Sequence, residues 1–215
     1  MTADTFQKAI VSLADWRYKQ PGAEGPMLSH DYRFVVEPGA LPFMTKVGHP
    51  LTTVFPPLPN DPGFQPLCQV PAQDFEYAIA ALCAYREMRG DLYDGMRAVL
   101  HVLRNRATSQ HWHHSDVYLN TVATSQFSAM TIRGDSQTVV YPFSGRDPLA
   151  DKEFEKLLPN VEGILNGADA DNSNGAIYYA EPEYVSSPWF KKNIEQNPAY
   201  RVSATIGKTL FWTFA

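Results

Sequence analysis

The stretch QDFEYAIAALCAYREMR, residues 73–89, decides the fold of this chain. Its residues are apolar nearly all round a helical wheel, which predicts a helix in the middle of a domain. Gly90 follows and ends the helix, and Asp91 or Asp94 can cap a second one. The sequence therefore predicts a domain that is built around this central helix.

Other helices are predicted from apolar residues that recur at helical spacing. They cover residues 5–18, roughly 93–107, a segment that begins at Ser115-Asp116, and residues 148–166. Pro159 should kink or divide the last of them, because proline lacks the N–H that an interior helical residue donates. Near the C-terminus, residues 201–206 and 209–214 are β-branched and aromatic, and Gly207-Lys208 separates them. This pattern predicts a terminal hairpin, so the fold class is α+β and mainly helical.

The N-terminal third of the chain is rich in proline. Eleven of the 17 prolines lie between Pro21 and Pro71, which leaves little room for a helix or a central strand. Short edge strands are predicted within residues 32–37 and 51–55. We therefore expect an N-terminal helix and Pro-rich extension over residues 1–72, and a catalytic domain over residues 73–215.

Composition excludes several classes of protein. The chain has 215 residues, of which 44% are hydrophobic, so it can bury a substantial core. A net charge of −5 gives no reason to expect nucleic-acid binding. The chain contains no apolar run of about 18 residues, so no membrane span is predicted. The N-terminus lacks the pattern of a signal peptide. We expect a protein that is made in the cytoplasm, or one that is exported by a route that the sequence does not show.

Glu87 is the candidate catalytic residue because it stands where the central helix ends. Burial and the negative pole of the helix C-terminus both disfavour its charged form, so its pKa is expected to rise. Arg86 and Arg89 oppose this, although they point off other sides of the helix. A carboxylic acid that is protonated near neutral pH can act as a general acid. The alternative is a surface glutamate that pairs with an arginine.

The remaining reactive residues give weaker patterns. His111, His113 and His114 lack the spacing of metal ligands and are predicted to lie in a solvated loop, so no metal and no cofactor is expected. Two cysteines, Cys68 and Cys83, are too few for a disulfide framework. Cys83 lies among apolar helical residues and is predicted to be an inert core thiol.

Six short motifs occur in one order between about Asp74 and Trp212. They are EMRGDLYDG at 87–95, VLHVLRNR at 99–106, VATSQFS at 122–128, GAIYY at 175–179, SPW at 187–189 and IGKTLF at 206–211. This series resembles the SleB/CwlJ cell-wall hydrolases, a family that cuts the glycan strands of bacterial peptidoglycan. The chain departs from the family at Arg86, where glycine is common, and at Met88, where alanine is usual.

The resemblance implies a lysozyme-like fold and a reaction that needs no cofactor. Glu87 would protonate the glycosidic oxygen between N-acetylmuramic acid and N-acetylglucosamine. The 6-hydroxyl of the muramic acid would then close onto C1 and leave a 1,6-anhydro end, as in a lytic transglycosylase. One carboxyl group serves as acid and then as base in such a reaction.

Substrate contacts are expected on the matching motifs. Gln126 and Ser128 are candidates to hydrogen-bond the sugar, and Trp189 is a candidate to stack on it. Tyr178 and Tyr179 are adjacent in a predicted strand, so only one of them can face the cleft while the other packs in the core. Asn105 and Arg106 are predicted to be structural and to pin a neighbouring loop. For every aromatic residue the alternative is ordinary core packing.

Three alternatives stay open at this point. A hydrolytic muramidase would need a second carboxylate, for which Asp135, Glu181 and Glu183 are candidates. A non-catalytic wall-binding or virion structural protein would keep the fold without the activity. An amidase or peptidase would need a metal site or a reactive cysteine with histidine. The lack of a signal peptide suggests a phage lysin or virion component, whose Pro-rich extension would dock a protein partner or cover the cleft.

Overall fold

We describe the protein from a computed structural model. It describes residues 1–18, 32–35, 43–46, 54–55, 70–88, 93–109, 127, 147–185 and 187–215. The helix predicted from Ser115 lies outside these residues. No helix within the described ranges is long and apolar enough to cross a membrane.

Three long helices form most of the core. They are α1 (Ala3–Tyr18), α2 (Ala72–Glu87) and α3 (Tyr93–Thr108). Every residue of α2 from Phe75 to Arg86 is buried, which confirms the prediction of a central helix. Its first turn carries Asp74 and its last turn carries Arg86, and both charges suit the helix dipole.

Two shorter helices complete the main core. They are α4 (Lys152–Leu157) and α5 (Val161–Leu165). A 3-10 turn that contains Pro159, Leu158–Asn160, separates them and confirms the predicted division. Phe154 on α4 lies in the core, with its ring centroid 5.0 Å from that of Phe6 and 5.1 Å from that of Tyr85. Helix α1 therefore packs into the same core as α2, and the domain boundary at residue 72 stays a prediction.

The N-terminal region contains a small antiparallel sheet. Its strands are β1 (Tyr32–Val35), β2 (Phe43–Lys46) and β3 (Val54–Phe55), in that spatial order. Strands β1 and β3 lie within the predicted edge segments. The expectation that this region has little room for a central strand is wrong, because β2 pairs with both neighbours. The prolines flank β2 without interrupting it, so its backbone N–H groups can still join the ladder.

The C-terminal sheet confirms the predicted hairpin. Strands β5 (Tyr200–Ile206) and β6 (Thr209–Phe214) pair antiparallel, and Gly207 in the turn has a φ of 59°. Strand β4 (Tyr178–Ala180) pairs with the other side of β6. Before the hairpin, α6 (Pro188–Phe190) continues into a π-helical turn, Lys191–Glu195. Helices that pack around a central helix, with a small antiparallel sheet, make the predicted α+β fold.

Candidate functional site

Glu87 is the last residue of α2 and lies at the boundary between core and solvent. Arg86 before it is buried, whereas Glu87 is partly exposed. The hydroxyl of Tyr179 donates a hydrogen bond of 2.8 Å to Oε2 of Glu87. The structure therefore brings together two residues that are 92 positions apart in the sequence.

Tyr179 rather than Tyr178 faces Glu87. In the register of the sheet Tyr179 is opposite Phe211, and it packs against a small cluster that includes Ala98 and Val102 of α3. Tyr178 points to the other face of β4, where its ring lies edge-on to Tyr200 and Phe190 at centroid distances of 5.5 and 6.3 Å. The alternation of side chains along a strand produces this separation.

The two tyrosines also differ in their surroundings. Burial, followed by the negative charge of Glu87, holds the pKa of Tyr179 well above its ordinary value. Tyr179 therefore keeps its proton at neutral pH and stays a hydrogen-bond donor. Burial and the neighbouring Tyr200 raise the pKa of Tyr178 to about 12.

Arg106 of α3 brings a buried positive charge next to β4. Its Nε donates to the carbonyl oxygen of Ile177 at 2.7 Å, and its Cζ lies 4.8 Å from the ring centroid of Phe127. Burial lowers the pKa of Arg106, while its interactions with Tyr179 and with the negative charge of Glu87 act in the opposite direction. The prediction that Asn105 and Arg106 pin a loop is confirmed, since Asn105 also donates to the carbonyl oxygen of Ala176 at 3.0 Å.

A second polar network holds the segment before β4. Asp171 accepts hydrogen bonds from the N–H and hydroxyl of Ser173, the side chain of Asn105 and the N–H of Gly175, at 2.6 to 3.0 Å. Burial disfavours the charged form of Asp171, but these donors outweigh it and lower its pKa. We infer that this carboxylate fixes the path of the chain into β4.

Asp169 joins the same network from the other end of the loop. Its Oδ2 accepts from Nε of Arg97 at 2.6 Å and lies 3.1 Å from Nε2 of His101, which is fully buried. Burial disfavours the charged form of Asp169, but the interactions with Arg97 and His101 favour it more strongly. The pKa of Asp169 is therefore lowered. Arg97, His101 and Asn105 are four residues apart along one stripe of α3, which explains how a single helix holds the whole loop. Sequence reasoning missed this network, although the i, i+4 spacing of its polar residues was visible.

One comparison with known proteins identifies a family. A profile of the Cell Wall Hydrolase family matches residues 90–212, more than half of the chain. The chain belongs to the SleB/CwlJ-type cell-wall hydrolases. No curated protein and no solved structure gives a significant match. Glu87 stands just before the matched residues, whereas Arg106, Phe127 and Tyr179 lie within them.

Other predicted site residues of this cell-wall hydrolase are only partly described. Gln126, Ser128 and Asp135 lie outside the described residues. Trp189 is the middle residue of α6, and 58% of its surface is exposed. Glu183 is exposed and Glu181 is half-buried, on either side of Pro182.

The described parts of this cell-wall hydrolase contain neither a reactive thiol nor a cluster of metal-binding side chains. Burial, and then the negative charge of Glu87, raise the pKa of Cys83 well above its ordinary value. A buried thiol that holds its proton so firmly is a poor nucleophile. Within the described ranges no group of three or more His, Cys, Asp or Glu side chains could hold a metal ion. His111, His113 and His114 lie outside those ranges.

Proposed function

We propose that this enzyme cleaves peptidoglycan glycan strands between N-acetylmuramic acid and N-acetylglucosamine, with Glu87 as its single general acid and base. The observation that carries the proposal is the partly exposed carboxyl group at the end of α2, whose Oε2 accepts a hydrogen bond from Tyr179. Family membership supports degradation of peptidoglycan, and this geometry supports one glutamate as the proton carrier.

In the proposed reaction Glu87 gives its proton to the glycosidic oxygen. The bond between that oxygen and C1 of the muramic acid breaks, and positive charge develops on the sugar ring. The 6-hydroxyl oxygen then attacks C1, and the carboxylate of Glu87 takes the hydroxyl proton. The products are a new 4-hydroxyl and a 1,6-anhydro end, so no water is consumed and the enzyme regains its proton.

Tyr179 has a defined part in this scheme. Its hydrogen bond holds Oε2 and thereby fixes the plane of the Glu87 carboxyl group before the substrate arrives. A general acid must lie within hydrogen-bond reach of the atom that it protonates, so a fixed plane favours proton transfer. Because its pKa is raised, Tyr179 remains a donor while the carboxyl group changes charge.

Saccharide binding is proposed on the motifs that the sequence indicated. Trp189 exposes most of its ring system, which suits stacking on the apolar face of a sugar. Gln126 and Ser128 remain predicted contacts, whereas Tyr178 lies on the face of β4 away from Glu87 and is not assigned one. Action on the cell wall follows from the family, whereas delivery as a phage lysin or virion component remains a prediction.

The test is a digestion of purified peptidoglycan with the wild-type protein and with Glu87→Gln, followed by mass spectrometry of the released muropeptides. Anhydro-muramic ends from the wild type, and none from Glu87→Gln, support the proposal. Reducing muramic ends would instead show a hydrolytic muramidase, and free peptides an amidase. Unchanged activity in Glu87→Gln would refute the assigned role of this residue.

A further inference from the structure

Arg106 occupies an unusual position for a charged side chain. Only 6% of its surface is exposed, and its Nε–H is fixed on the carbonyl oxygen of Ile177 at 2.7 Å. Its Cζ lies over two aromatic rings, 4.8 Å from the centroid of Phe127 and 5.9 Å from that of Tyr178. A buried guanidinium is destabilising unless the protein places compensating negative potential near it. The position of that negative potential therefore indicates the role of the Arg106 charge.

A compensating negative charge lies at the candidate site. Tyr179, two residues after Ile177, donates to Glu87, and it packs against Ala98 and Val102, which lie two turns and one turn before Arg106 on the same stripe of α3. The negative charge of Glu87 favours the charged form of Arg106. Among the described residues, Tyr179 from β4, Arg106 from α3 and Cys83 from its own helix interact electrostatically with Glu87, and Arg86 precedes it in the chain. Of these groups from other elements, Arg106 is the one with a permanent charge, since guanidinium groups stay protonated in proteins.

We propose that Arg106 is a positioning residue that acts through Glu87, and that its fixed positive charge stabilises the carboxylate that remains after Glu87 has protonated the leaving-group oxygen. This inference rests on the proposed function. Arg106 exchanges no proton in either step. It lowers the energy of the intermediate state in which Glu87 is charged, and the burial of Arg106 limits the screening of this interaction by water.

The effect of removing the charge has a definite sign. Without a nearby cation a carboxylic acid ionises at higher pH, because its charged form has lost a favourable interaction. Glu87 would then stay protonated to higher pH, so the alkaline limb of the activity profile should move upward. We expect a shift of about half a pH unit or more, together with a maximal rate that is about tenfold lower.

The experiment measures the release of anhydro-muramic ends from purified peptidoglycan as a function of pH, with each profile scaled to its own maximum. The variants are Arg106→Gln, Arg106→Lys and Arg106→citrulline. Citrulline keeps the planar shape and the Nε–H donor to Ile177 but carries no charge, so it separates charge from packing if the Gln variant does not fold. Arg104→Gln is the control, because residue 104 points off another side of α3.

An upward shift in the Gln and citrulline profiles, with Lys and the Arg104 control at the wild-type position, supports the inference. The inference is overturned if the alkaline limb stays at its wild-type position in both Arg106→Gln and Arg106→citrulline, or in Arg106→citrulline alone if the Gln variant does not fold. It is also overturned if Arg106→Lys shifts the limb by the same amount. If Arg106 had a purely structural role, its removal would lower the maximal rate without moving the alkaline limb of the pH profile. Failure of the proposed function is distinguishable, because it would appear as full activity in Glu87→Gln.

Discussion

Two carboxylates, Asp171 and Glu87, have different surroundings, and the contrast separates a structural role from a chemical one. Asp171 accepts two hydrogen bonds on each of its oxygens, from Ser173, Asn105 and Gly175. Glu87 is partly exposed at a helix end, where Tyr179 holds its Oε2. A carboxylate with four protein donors is committed to holding the fold, whereas one at the edge of the core can approach a substrate.

The two regions are also connected through adjacent residues of α3. Asn105 binds Asp171 and the carbonyl oxygen of Ala176, and Arg106 binds the next carbonyl oxygen, that of Ile177. These contacts fix the chain immediately before β4, and so they determine where Tyr179 meets Glu87. The structural region therefore places a part of the candidate site.

The sharpest test of the contrast is Glu87→Gln. We expect its rate of glycan cleavage to fall by about 10²–10⁴-fold, since a general acid contributes roughly that factor. Its free energy of unfolding should fall by no more than about 1 kcal/mol, because Gln keeps an acceptor for Tyr179 and loses only the charge that offsets Arg106. Muropeptide release and urea denaturation measure the two quantities. Glu155→Gln, at an exposed position on α4, is the control, and equal rates in the two variants would contradict the assignment.

Asp171→Ala should show the opposite pattern. It leaves the donors of Asn105, Ser173 and Gly175 without their acceptor, which is expected to lower the free energy of unfolding by about 2–3 kcal/mol. Urea denaturation measures the loss. Asp4→Ala is the control, because the Asp4–Lys8 pair is exposed and its loss should change stability by less than about 0.5 kcal/mol. A stability equal to that of the control would show that the network does not hold the fold.

Tyr179→Phe tests the hydrogen bond that joins β4 to Glu87. We expect cleavage to slow by about tenfold, because the loss of one hydrogen bond to a charged group corresponds to about 1.5 kcal/mol or more. Tyr178→Phe is the matched exchange on the other face of the same strand, and its effect on the rate should be smaller. Initial rates of muropeptide release decide the point, and a larger loss in Tyr178→Phe would reverse the assignment of the two tyrosines.

Trp189→Ala tests a residue that is exposed and therefore contributes little to the fold. If its ring stacks on a sugar, KM for soluble glycan strands should rise by about 3–10-fold while the melting temperature stays the same. Rate measurements over a range of substrate concentrations give KM, and thermal unfolding provides the control. An unchanged KM would remove Trp189 from the proposed binding residues.

The smallest expected effect is on stability in acid. The folded protein holds the pKa of Asp171 below its ordinary value, so this group stabilises the fold above the pKa of the unfolded chain, about 3.9. That contribution is lost as the pH falls through the lower, folded value. The stability difference between the wild type and Asp171→Asn should therefore narrow below about pH 4, as urea denaturation at a series of pH values would show. If this stability difference did not change with pH, the charge of Asp171 would not be what stabilises the fold.

Much of the fold was predictable because its signals are local. The apolar residues of α2, the break at Pro159 and the glycine turn of the hairpin each act within a few residues of the chain. Strand β2 escaped prediction because a strand of four residues is stabilised by its neighbours rather than by its own sequence. The anchoring of the loop that contains Asp171 was missed for a similar reason, since the α3 residues that hold it, Arg97, His101 and Asn105, lie 66 to 72 positions away in the sequence.

The sequence by itself determined that an acidic residue would stand at the exit of a buried helix and that two tyrosines would alternate across a strand. It left open which tyrosine would meet Glu87, and it assigned Arg106 only a structural role. Strand alternation defines two faces, but packing of Phe211 against Ala98 and Val102 decides which face turns inward. That choice depends on contacts between segments far apart in the chain, so only the tertiary structure placed Tyr179 on Glu87 and the charge of Arg106 close to both.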